Sequence, residues 1–145
     1  MRWRFWLGWG LVGLAVVLLA IQLIPYGRSH TNPAVVAEPP WDSGTTRELT
    51  VRACYDCHSN ETTWPWYSNV APISWLTQRD VDEGRARLNF SEWHGDTRAA
   101  HEITEVVREG EMPPVYYTWM HSAARLSDTE TEELIRGLEA TLAGG

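Results

Sequence analysis

Residues 54–58 read Cys54-Tyr55-Asp56-Cys57-His58. They hold the only two cysteines in the 145-residue chain, separated by two residues, with an imidazole directly after the second. Two thiols at that spacing can add to the two vinyl groups of one porphyrin, and the adjacent histidine is then held where its ring reaches iron from the same side. Cys54 and Cys57 are therefore the candidate attachment points of one covalent haem c, and His58 is its candidate proximal ligand. The competing chemistries ask for residues that are missing. A four-ligand zinc site wants a second cysteine pair or suitably spaced histidines. A redox dithiol wants a βαβ pattern around it, and a disulfide between residues three apart leaves His58 unexplained.

Outward from this run the punctuation favours helices. Thr45 or Thr46 can cap a helix running through Tyr55, with Leu49, Ala53 and Cys57 on one face. A second helix is predicted from Ser74 to about Arg87, with Leu76, Val81, Gly84 and Leu88 as its stripe. A third is predicted from Asp96 or Thr97 to Glu109, where Ala100, Ile103, Val106 and Val107 share a face and Gly110 can end it in a left-handed cap. The last helix is the best specified. Ser127 with Glu130 three positions on makes a capping box, and Leu134, Ile135, Leu138 and Leu142 make an apolar stripe. Only Val115–Trp119 has any strand character, and it is short and follows two prolines. The expected class is all-α.

Between Phe5 and Gly27 there is no charged residue, and Leu7–Ile24 is almost wholly apolar. At helical rise that run is long enough to cross a bilayer core of ~30 Å. A cleavable secretory signal begins in the same way, but its apolar core is usually about 7 to 15 residues and ends at a small-x-small site. Here the run is longer and ends in Ile24-Pro25-Tyr26-Gly27-Arg28, which favours an uncleaved single-pass anchor. Arg2 and Arg4 precede the helix and only Arg28 follows closely, so the positive-inside bias places the N-terminus in the cytoplasm and the rest of the chain on the periplasmic side of a bacterial inner membrane. Covalent c-type haem is assembled on that side. Trp3, Trp6, Trp9 and Tyr26 lie near the ends of the span, where amphipathic rings suit the headgroup layer.

Residues 29–42, SHTNPAVVAEPPWD, carry three prolines and no helical period, which predicts an extended tether. The expected organisation is an anchor at 1–28, a tether at 29–42 and a haem domain at 43–145. The exported part has ten arginines, no lysine and nineteen acidic residues, which argues against nucleic acid as a partner. Its acidic surface could steer a basic redox partner or be simply a solvated face.

For the sixth coordination position, Met112 lies in Gly110-Glu111-Met112-Pro113-Pro114, where two prolines can present a thioether on a stiff loop. Met120 sits among aromatic residues, where gap-filling is the ordinary role of a methionine. Met112 is the preferred distal ligand; Met120, a histidine (His121, His94 or His101) or an open iron are the alternatives, and His30 is assigned to the tether. The rings of Trp64, Trp66, Tyr67, Trp75 and Trp93 are expected to pack on the porphyrin rather than relay electrons. Arg79, Arg85 and Arg87 could fork to haem propionates or pair with Asp80, Asp82 and Glu83 at helical spacing.

Three separated blocks, CYDCHSNETTWPWYSNVAPISW, RDVDEGRARLNFSEW and REGEMPPVYYTWMHSAARLS, closely resemble the bacterial haem-binding domain family of small membrane-anchored monohaem c-type cytochromes over roughly Ser43 to Leu142. The resemblance implies thioether bonds at Cys54 and Cys57, proximal ligation by His58 and distal ligation by Met112. It also implies a cytochrome c-like helical wrap around the haem and an N-terminal anchor. The expected function is one-electron transfer at the outer face of the inner membrane, by a carrier rather than an enzyme. The alternatives are a gas- or peroxide-reactive haem sensor or enzyme, and a haem-bearing subunit of a larger membrane complex.

Overall fold

The computed structural model describes residues 2–95 and 97–143, with the side chains of 97–101 outside the description. It contains seven α-helices: α1 (Arg2–Ile21), α2 (Gly44–Ala53), α3 (Tyr55–His58), α4 (Ile73–Arg87), α5 (Thr97–Arg108), α6 (Val115–Met120) and α7 (Asp128–Ala143). Two short 3-10 turns occur at Trp66–Asn69 and Ser122–Ala124. Among the described residues no strand forms, and the one β pairing is an isolated parallel bridge between Ala37 and Glu92. The all-α expectation holds, and Val115–Trp119 is helical. Asp96, the side chain of Ala100 and that of His101 lie outside the described residues.

Local chemistry explains most helix ends. At α7, the Ser127 backbone N–H donates to Glu130 Oε2 at 2.8 Å and the Glu130 N–H donates to Ser127 Oγ at 3.3 Å, the reciprocal pair of a capping box. Gly110 closes α5 at φ +74°, where an L side chain is disfavoured. The Glu111 N–H then bonds the Val106 carbonyl (2.9 Å) and the Gly110 N–H bonds that of Val107 (3.2 Å), which together form a Schellman motif. The start of α2 differs from expectation. Ser43 is its cap, accepting from the Thr46 N–H at 3.1 Å, while Thr46 is buried. The reason is tertiary: a Cβ at Gly137 of α7 would fall on the Thr46 side chain, so Thr46 is the packing partner of α7 rather than a cap. The helix also breaks at Cys54 instead of running through Tyr55.

The chain packs as two units. One holds the residues up to His30 together with Trp64–Asp80; the other holds Thr31–Thr63 and everything from Val81 onward. In the second unit Leu49 of α2, Val107 of α5, and Leu134 and Leu138 of α7 form the buried core, ringed by Trp41, Ile103, Met112, Leu126, Ile135 and Leu142. Each such apolar side chain contributes about 1.5–3 kcal/mol on burial. From Thr31 the Pro-rich stretch forms no helix and is hydrogen-bonded into this unit. The Val36 and Ala37 N–H groups reach the Ser91 carbonyl at 2.8 and 3.1 Å, and the Trp93 N–H reaches that of Ala37 at 3.0 Å.

The first unit contains α1, a helix long and apolar enough to cross a membrane and exposed along nearly its whole length. In α4 the predicted stripe fails at Leu76, which is exposed. The buried row is Ser74, Gln78, Val81 and Gly84, spaced by three or four residues, so small and polar side chains occupy the protein-facing side.

Candidate haem-attachment site

The attachment run lies in the second unit, where α2 ends and the one-turn helix α3 begins. Cys54 takes a kinked conformation (φ −124°, ψ −31°) between them, and the His58 N–H closes the turn on the Cys54 carbonyl at 2.9 Å. The thiols of Cys54 and Cys57 and the imidazole of His58 are thus gathered on one turn, each half-buried. Burial, and then the neighbouring Cys57, push the Cys54 thiol up to about 12, so it stays protonated. The zinc alternative finds no group of three or more His, Cys, Asp or Glu donors among the described residues.

The ring of His58 is fixed by the backbone of Leu88, a residue the sequence placed only in a helical stripe. Nδ1 lies 3.2 Å from the Leu88 carbonyl oxygen. A carbonyl can only accept, so Nδ1 carries the proton and Nε2 presents its lone pair. Burial lowers the imidazole pKa below its ordinary value, outweighing the Leu88 and Gly84 carbonyls, which favour the charged form. A neutral ring with a free Nε2 lone pair is the form a metal binds, and an outer hydrogen bond of this kind sets its orientation. Phe90, fully buried, places its ring edge-on to His58 at 6.5 Å, stacks on Tyr55 at 5.7 Å and meets Trp41 at 5.5 Å.

The chain around the motif is clamped from α4 and from the loop 88–92. At Gly84 a Cβ would fall on the Cys57 carbonyl oxygen and lie 3.1 Å from the Cys57 Cβ, so only glycine allows α4 this close to α3. Arg85 is engaged with the chain around the motif. Its guanidinium donates to the Ser59 carbonyl (2.7 Å), the Thr31 carbonyl (2.9 Å), Asn32 Oδ1 (3.1 Å) and Thr62 Oγ1 (2.9 Å), tying down the chain that leaves the motif. Asn60 is bonded through every polar group except its own carbonyl: its N–H to Ser91 Oγ, its amide to the Ala34 carbonyl and Glu92 Oε1, and its Oδ1 from Asn89 Nδ2. The Asn60 partners are 26 to 32 positions away, and no local pattern announces them.

Of the other candidates, Met112 lies in the same unit, half-buried against the Leu49, Val107, Leu134 and Leu138 cluster. Met120 and His94 are exposed, and the His121 ring stacks on Tyr117 at 4.1 Å. His30 and Trp64 belong to the first unit, where their rings stack at 4.7 Å. Trp66 is 79% exposed.

The chain matches the haem-binding domain family over residues 16–140. It belongs to that family. The match begins inside α1, well before the Ser43 boundary of the sequence resemblance, so this haem-binding domain includes the end of the apolar helix and the Pro-rich stretch. No curated protein and no solved structure shows significant similarity to the chain. The residues around the attachment run fit a haem: two clustered thiols, one protonated by burial, and a neutral imidazole oriented by a backbone carbonyl.

Proposed function

We propose that the chain is a membrane-anchored monohaem c-type cytochrome that passes single electrons at the periplasmic face of a bacterial inner membrane. In this reading each S–H of Cys54 and Cys57 adds across one vinyl group, sulfur to one carbon and hydrogen to the other. The bonds so formed are thioethers, with no net oxidation. His58 Nε2 is the proximal ligand and the Met112 thioether the distal one. When bound, haem supplies a ferrous/ferric couple and a large apolar ring for a small domain to fold around.

The observation that carries the reading is the His58 Nδ1 contact to the Leu88 carbonyl, which leaves the other ring nitrogen for iron beside two clustered thiols. Met112 suits the distal role because its loop is closed at one end by the Schellman turn of α5 and runs at the other through Pro113 and Pro114 into α6. Two axial ligands favour electron transfer and discourage small-molecule chemistry, so the chain acts as a carrier rather than a catalyst.

Absorption spectra of the purified ferric and ferrous protein, with and without carbon monoxide, test this function. The wild type is expected to resist carbon monoxide and the Met112→Ala variant to bind it. Rapid binding by the wild type would replace the carrier reading with a gas- or peroxide-reactive one. An unchanged Met112→Ala spectrum would remove Met112 as ligand. Haem retained in denaturant by the wild type and released from a Cys54→Ser, Cys57→Ser double variant is the expected signature of covalent attachment.

A further inference from the structure

The first unit is built with its polarity reversed. Ser68, Ser74 and Gln78 are buried, while Trp66 (79%), Val70 (44%), Ile73 (44%) and Leu76 (47%) are exposed. In water the exposed apolar side chains cost free energy, since their area stays wet. The arrangement is favourable where the outer side meets hydrocarbon.

The same segment is fastened to the chain immediately beyond α1. Gln22, the first residue past that helix, donates through Nε2 to the Ala71 carbonyl at 2.9 Å and accepts from the Ala71 N–H at 3.0 Å. Gly27, at φ +82°, approaches so closely that a Cβ there would fall on the Ser74 carbonyl. His30 Nε2 reaches the Ser68 carbonyl at 3.1 Å and Oγ at 2.9 Å, with its ring stacked on Trp64. The exposed apolar face is therefore held at the end of the one helix long and apolar enough to cross a membrane.

Charge points to the same partner. From Trp64 to Gln78 there is no charged residue, whereas the second unit carries eighteen acidic residues against eight arginines. An anionic bilayer surface repels the second unit and not this face. Trp66 adds an amphipathic ring of the type that settles at the headgroup level.

We propose that the face formed by Trp66, Val70, Ile73 and Leu76 is a second membrane contact, seated in the headgroup layer of the bilayer that α1 crosses. It rests on α1 being a transmembrane anchor. The face acts as a collar: the anchor holds the chain in the bilayer, and the collar gives the same unit a second hold on it.

Photocrosslinking of the full-length haem-loaded protein tests the collar. The protein is reconstituted in vesicles of phosphatidylethanolamine and phosphatidylglycerol, with benzoylphenylalanine introduced singly at four exposed positions: Leu11, Trp66, Ile73 and, on α7, Glu132. Mass spectrometry is expected to find lipid adducts at Leu11, Trp66 and Ile73 and none at Glu132. An adduct at Leu11 with none at Trp66 and Ile73 would overturn the collar and leave the anchor standing. Absence at Leu11 as well would overturn both. Protein–protein adducts at Ile73 in place of lipid would overturn the collar in favour of a second copy of the chain, and adducts at Glu132 equal to those at Ile73 would deprive the face of any preference for lipid.

Discussion

Tyr117 Oη donates a 2.7 Å hydrogen bond to Oδ2 of Asp56, one of the two residues between Cys54 and Cys57. The other carboxylate oxygen accepts from the Thr63 N–H at 2.9 Å. The bond joins α6, which follows directly on the Met112 loop, to α3, which carries His58. The candidate distal and proximal segments are thereby tied to each other through protein alone.

Tyr117→Phe is accordingly expected to cost about 1 kcal/mol, the low end for a bond to a charged group because the pair is half-exposed. Denaturant titration of the haem-loaded protein measures that loss. Carbon monoxide should also bind the variant faster than a Trp119→Phe control at an exposed position of the same helix. Unchanged binding in Tyr117→Phe would show that the Met112 loop keeps its place without the tie.

Gly84→Ala tests the close approach of α4 to α3. The added methyl meets the Cys57 backbone rather than a movable side-chain tip, so the expected cost is about 1–3 kcal/mol. Haem incorporation should fall with it. Gly44→Ala, in open space at the first turn of α2, is the control and should stay within about 0.5 kcal/mol of the wild type.

Stability should weaken in acid through Glu130. The Ser127 N–H, and after it the Arg52 guanidinium at 2.7 Å, hold its carboxyl at about 2 rather than the ordinary 4.5. Its folded pKa is depressed, so its contribution is complete above about 4.5 and is lost as pH falls toward about 2. Glu130→Gln keeps a side chain able to cap the helix but cannot titrate. Its stability–pH curve should be flatter than that of the wild type across this window, and parallel curves would mean that the acid sensitivity resides elsewhere.

Two leucines make a matched contrast. Leu134 is completely buried in the core, and Leu134→Ala is expected to cost about 2–5 kcal/mol. Leu76→Ala removes the same atoms from an exposed site, and in detergent-solubilised protein it should cost well under half as much. Equal losses would place Leu76 in the protein interior and contradict its exposure.

Features written in neighbouring residues were legible before any coordinates. Ser127 and Glu130 are three positions apart and complete their capping box within one turn, and Gly110 ends α5 because it alone there can take a positive φ without strain. The Leu134 and Leu138 stripe faces the core as its spacing requires. Misreadings arose where the partner lay far along the chain. Thr46 resembles a cap but packs on Gly137, and Leu76 resembles a core residue but points outward while Ser74 is buried.

By itself, the sequence determined the all-helical class, the apolar N-terminal helix and the choice of residues 54–58 as the candidate attachment run, because each depends on residue types at fixed short spacings. Only the tertiary structure decided which groups orient that run. The Leu88 carbonyl selects the tautomer of His58, Gly84 admits α4 against Cys57, and Tyr117 reaches Asp56 across 61 positions. Backbone carbonyls and missing methyl groups are alike in every sequence context, so their use at one site becomes visible only when folding brings distant segments within hydrogen-bonding distance.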